Sequence, residues 1–116
     1  MEKEKLKRIK TEKNKLNRIF KNIDEKRRKT VERLIDNAAF MAATLEDLQE
    51  DINTNGVISE YQNGENQWGT KKSPEVEVYN TMLKNYTSVI RQLTDLLPPE
   101  EGKADDDGFD AFLNSG

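Results

Sequence analysis

Thirteen of the first thirty residues are lysine or arginine: Lys3, Lys5, Lys7, Arg8, Lys10, Lys13, Lys15, Arg18, Lys21, Lys26, Arg27, Arg28 and Lys29. Phosphate binding is the chemistry such a set supports, with lysine as a point charge and arginine as a two-pronged fork. No aromatic residue alternates with these cations to stack on bases, so the pattern favours the backbone of a duplex over single strands. A merely solvated helical face is the competing reading, at even weight. The candidate nucleic-acid contacts are Lys10, Lys13, Lys15, Arg18, Lys21, Lys26, Arg27 and Arg28, with Lys71 and Lys72 as a second cationic pair.

Other chemistry is excluded by composition. The chain has no cysteine and no histidine, which removes disulfides, zinc and iron–sulfur sites, thiol nucleophiles and serine–histidine triads. There is no glycine-rich phosphate loop ending in Gly-Lys-Ser/Thr, so neither a nucleotide cofactor nor ATP hydrolysis is expected. Asp105-Asp106-Asp107-Gly108 fails as a calcium loop, because placing Gly108 at loop position 6 puts Lys103 and Asn114 where acidic ligands are required. We therefore expect no catalytic residues, no metal and no cofactor. Asn85-Tyr86-Thr87 is a formal glycosylation sequon within a predicted intracellular helix and carries no weight.

The 116 residues suffice for one functional unit, but 35% are charged and only 34% are hydrophobic, against about 25% and about 45–50% in an average domain. A lone chain buries a thin core. No apolar run approaches the roughly 18 residues that span a bilayer, and the basic start lacks the apolar stretch of a signal peptide. The expectation is a soluble, intracellular protein with no membrane partner. The net charge of −3 conceals +8 over residues 1–30, −6 over 31–97 and −5 over 98–116. That asymmetry steers polyanions to one end.

The elements that must position these groups follow from periodicity. A basic N-terminal helical segment covers 1–23, with Leu6, Ile9, Leu16, Ile19, Phe20 and Ile23 on one narrow stripe. Its first turns fray unless packed or bound. A helical core spans 24–97. Its first helix, 24–54, starts at an Asp24 N-cap and stops at Asn55-Gly56. Ala38, Ala39, Ala42 and Ala43 present a flat surface there that favours a partner helix. Residues 57–72 read as a β-ribbon on the signal Asn63-Gly64, in which Trp68 is a local anchor in preference to a contact residue facing DNA or a neighbouring subunit. A second helix, 74–97, opens with Ser73-Pro74 and carries Val76, Tyr79, Leu83, Tyr86, Ile90, Leu93 and Leu97 at alternating steps of 3 and 4, flanked by Met82, Val89 and Leu96. This is a packing face, the candidate oligomerisation surface. Pro98-Pro99 ends the helix, and 98–116 reads as a flexible acidic tail in which Phe109, Phe112 and Leu113 have the spacing of a short docking helix. The fold class expected is mainly α: long helices forming an oligomerisation core, a small β-hairpin over about 57–70, and a tail.

A resemblance joins these parts. Leu34-Ile35-Asp36-Asn37-Ala38-Ala39-Phe40-Met41, Thr44-Leu45-Glu46-Asp47-Leu48, Tyr61-Gln62-Asn63-Gly64 through Gly69, Lys72-Ser73-Pro74-Glu75-Val76 and Tyr79-Asn80-Thr81-Met82 together resemble the small terminase subunits of tailed phages and prophages. The likeness covers roughly residues 16–97 and is to the form found in phages of Gram-positive bacteria. It implies a non-catalytic adaptor in the host cell cytoplasm, a ring-forming homo-oligomer that recognises double-stranded viral DNA and recruits the large terminase subunit for genome packaging and virion assembly. On charge and spacing, the basic segment then holds DNA, the heptad helix joins copies and Phe109, Phe112 and Leu113 dock on the large subunit. Lys71 and Lys72 are alternatives in a ring channel, because the N-terminal segment carries no evident helix-turn-helix. A helical assembly or interaction protein and a small dimeric DNA-binding regulator are the rival readings.

Overall fold

The computed structural model describes residues 2–62, 64 and 68–97. The elements follow in the order α1 (Glu2–Ile19), α2 (Glu25–Asn55), β1 (Ile58–Gln62), β2 (Trp68–Lys72) and α3 (Pro74–Asp95). The fold is mainly α. Both α1 and α3 run antiparallel to α2, their common partner: Arg8 near the start of α1 meets Asp47 late in α2, Tyr79 near the start of α3 meets Gln49, and Arg27 at the start of α2 meets Leu96 just beyond α3.

The core lies at one end of this bundle. Leu16, Phe20 and Ile23 from α1 and its turn, Val31, Ile35 and Ala38 from α2, and Val89, Ile90, Leu93 and Leu97 from α3 and its end form one buried cluster. Ile19, Leu34, Met41, Tyr86 and Leu96 pack around it. The apolar stripe of α1 thins towards its start, so the core ends about midway along the bundle, and exposed Leu6 marks where it stops. The molecule is accordingly long, 64 × 28 × 24 Å, with a radius of gyration of 18.1 Å where a compact chain of this size has about 13 Å.

Two local expectations are modified. Asp24 and Ser73 do occupy the N-cap positions, but neither side chain caps its helix. Asp24 instead pairs with Arg27 at 3.6 Å, and buried Ser73 donates its hydroxyl to the Gly56 carbonyl at 3.3 Å while its amide donates to Val57 O at 2.9 Å. Ser73 thus ties the end of the ribbon back to the end of α2. The strand pairing runs from Ile58↔Lys72 to Gln62↔Trp68, within the ribbon expected over 57–72, and leaves the interval 63–67 between the strands. Gly64 within it has φ 110, a region that favours glycine. Asn63, the side chain of Trp68 and all of 98–116 lie outside the described residues. Finally, the alanine face is used within the chain: Ala38, Ala39 and Ala43 are fully buried.

Close packing at those alanines makes them intolerant of volume. Ala38→Leu should destabilise by about 1–3 kcal/mol through overpacking, and Leu93→Ala by about 2–5 kcal/mol through loss of a fully buried side chain. Urea unfolding followed by circular dichroism measures both; a loss below about 0.5 kcal/mol in each would contradict the packing described.

Candidate nucleic-acid interface

The cations of α1 divide by the side of the helix they occupy. Those facing α2 are paired. Arg8 is the centre of this set: Nη2 donates to Asp47 Oδ1 at 2.7 Å, Nη1 to the Ala43 carbonyl at 3.2 Å and to Glu46 Oε2 at 3.4 Å, and Nε lies 2.7 Å from Glu4 Oε1. Its ionised form is stabilised first by the hydrogen bond to Asp47 and then by Glu4, outweighing desolvation, so the guanidinium stays charged well above its ordinary range. Lys5 pairs with Asp47 at 3.5 Å and lies 4.9 Å over the ring of Phe40, and Lys13 pairs with Asp36 at 2.9 Å. Lys5 and Arg8 line a groove of about 770 Å³ whose other walls are dominated by Glu2, Glu4, Glu46, Asp47, Glu50 and Asp51. Among the described residues no acidic cluster has the arrangement of a metal site.

The opposite side of α1 is different. Lys3, Lys7, Lys10, Asn14 and Arg18 succeed one another at steps of 4, 3, 4 and 4, which aligns them along one face for about 22 Å, and Lys21 continues the row in the turn. All are exposed. On α2, exposed Lys26, Lys29 and Arg33 follow at steps of 3 and 4. Among the described residues none of these eight cations has a carboxylate within ion-pair distance; Arg18 donates only to the Asn14 carbonyl, at 3.4 Å. The turn itself is braced by Arg28, whose Nη2 donates to Ile23 O at 2.8 Å and whose Nε donates to Glu25 at 3.2 Å.

Of the ten contacts expected from sequence, Lys10, Arg18, Lys21 and Lys26 therefore lie on the open cationic face. Lys13, Lys15, Arg27 and Arg28 lie close to it, but each is matched to a carboxylate, Lys15 to Glu12 at 3.5 Å. Lys71 and Lys72 sit on β2 at the far end of the bundle, near the end of α2 and the start of α3, and do not join the face around Lys21 and Lys26. Lys3, Lys7, Lys29 and Arg33 were missing from the set. The 4-3-4-4-3 spacing opposite Ile9 and Leu16 was the signal for the α1 members.

The heptad face of α3 is also divided. Ile90, Leu93 and Leu97 are buried inside the protomer, Tyr86 is half-buried against the core, and Tyr79 accepts a hydrogen bond from Gln49 Nε2 at 3.0 Å. Val76 is half-buried, while Leu83 and neighbouring Val78 remain exposed, as does Phe40 on α2. Phe109, Phe112 and Leu113 lie outside the described residues.

The family profile described as "Phage terminase, small subunit" matches residues 13–96. The chain belongs to that family, and its role is accordingly one in phage DNA packaging. No curated protein and no solved structure matches it significantly. Among the described residues no helix is long and apolar enough to cross a membrane.

Burial, and secondarily the charge of Glu12, push the Tyr86 hydroxyl above its ordinary titration range. A group whose folded-state pKa is raised contributes stability that is complete below its unfolded value, about 10, and is lost as pH climbs from there towards the folded value. Absorbance at 295 nm should show Tyr86 resisting ionisation until the fold is lost, and Tyr86→Phe should lessen the alkaline destabilisation. Normal titration of all three tyrosines in the folded protein would contradict this.

Proposed function

We propose that this chain is the DNA-binding adaptor of a packaging machine, and that duplex DNA lies along the row formed by Lys3, Lys7, Lys10, Arg18 and Lys21 and around the turn to Lys26, Lys29 and Arg33. The observation that carries the reading is the one-sided pairing of α1, in which the inner cations meet carboxylates and the outer ones meet none among the described residues. Phosphates need an uncommitted ammonium or guanidinium, and a row about 22 Å long offers several in succession. Lack of stacking groups suits a protein that grips the backbone.

We propose the rest of the role as follows. The chain acts without catalysis in the host cytoplasm, in the form used by phages of Gram-positive bacteria, and recruits the large terminase subunit through Phe109, Phe112 and Leu113. Copies join in a ring, for which exposed Leu83 and Val78 on α3 and Phe40 on α2 supply apolar surface. Many protomers with a few phosphate contacts each give avidity without tight single-site binding, as a loader that must release its DNA requires.

Charge reversal of Lys7, Lys10, Arg18 and Lys21 to Glu should weaken duplex binding at least about tenfold at roughly 0.1 M salt and reduce the slope of log affinity on log salt by about three to four. The same change at Lys13, Lys15 and Arg28 should cost much less. Fluorescence anisotropy measures both, and light scattering on the same samples should give a mass many times 13.4 kDa. Equal losses from the two sets, or binding abolished only by changes at Lys71 and Lys72, would move the site elsewhere. A monomer would remove the ring.

A further inference from the structure

The largest charge not engaged so far lies in residues 98–116, where Glu100, Glu101, Asp105, Asp106, Asp107 and Asp110 oppose Lys103 alone. The structure fixes where this segment departs. Leu97 is buried in the same cluster as Phe20 and Ile23, which flank the turn after α1, and the Leu96 carbonyl accepts a hydrogen bond from Arg27 at 3.4 Å. The chain thus leaves the bundle beside the cationic turn and at the opposite end from the acidic groove of Glu46, Asp47, Glu50 and Asp51. Lys26 to Arg33 occupy only about 10 Å of α2, whereas Asp105–Asp107, eight to ten residues beyond Leu97, reach up to about 26–35 Å. Tethering at that distance gives an effective concentration in the millimolar range. Carboxylates and phosphates compete for the same donors.

We propose that the acidic segment 100–110 lies against Lys21, Lys26, Lys29 and Arg33 of its own chain and competes there with DNA. The competition rests on the cationic face being the duplex site, as proposed above; the contact itself does not.

Two measurements on the full chain separate them. Zero-length carbodiimide cross-linking in a subunit-exchanged mixture of isotope-labelled and unlabelled chains should join Asp105–Asp107 to Lys21, Lys26 or Lys29 within one chain at about 50 mM salt, and not at about 0.5 M. No such cross-links, or only links between differently labelled chains, would overturn the intramolecular contact. In anisotropy titrations, the variant Asp105→Asn, Asp106→Asn, Asp107→Asn, Asp110→Asn should bind a duplex about fivefold more tightly at low salt. That gain should vanish when Lys21, Lys26, Lys29 and Arg33 are also changed to Gln. Equal affinities of parent and Asn variant would overturn the competition while leaving the duplex site standing. Failure of both to bind duplex DNA would overturn the site and the competition together.

Discussion

Arg8 bridging α1 to the late part of α2 is the contact on which the arrangement depends. The apolar stripe of α1 suffices to bury Leu16 and, in the turn beyond, Phe20 and Ile23, but it offers only Ile9 and exposed Leu6 nearer the start. An isolated helix of this composition is marginal in water. What replaces hydrophobic burial is a half-buried guanidinium reaching Asp47, Glu46 and the Ala43 carbonyl, aided by Lys5 on Asp47 and Lys13 on Asp36. A guanidinium suits this position because its fork satisfies several acceptors at once and never deprotonates. With the inner face thus fixed, the rotation of α1 is set, and Lys3, Lys7, Lys10 and Arg18 are directed away from α2.

Pairing on one side also explains a molecule that is acidic in sum but cationic on one face. Carboxylates of α2 neutralise the inner cations and leave a net acidic groove at one end, while Lys21, Lys26, Lys29 and Arg33 around the turn from α1 to α2 meet no carboxylate among the described residues at the other. The division of the α3 heptads has a parallel consequence. Their second half closes the protomer's own core, and only the first half retains exposed apolar surface at Leu83 and Val78.

Much of the fold was legible because its signals are local. The helix stop at Gly56, the proline start of α3 and the 3-4 spacing of its apolar residues each follow from short-range chemistry, and the structure has a helix ending at Asn55 and another beginning at Pro74. The ribbon was legible from the Asn63-Gly64 signal, and the structure pairs Ile58–Gln62 with Trp68–Lys72. Side-chain bonds at Asp24 and Ser73 were not legible: Asp24 pairs with Arg27 one helical turn on, and Ser73 reaches the Gly56 carbonyl that folding brings close. The same limit applies to the cationic site. Counting charges located the segment, but the commitment of Lys5, Arg8 and Lys13 depends on Asp36, Asp47 and Glu46, all more than twenty residues away.

The central claim is that ion pairing to α2, more than burial, holds the first half of α1 and so presents its outer cations as a row. Amide hydrogen exchange over residues 3–12, compared between the parent chain and Arg8→Met, tests it most directly. We expect clear protection in the parent, lost by about tenfold or more in the variant, with the exchange of residues 86–97 unchanged. Equal protection of residues 3–12 in both proteins would contradict the claim.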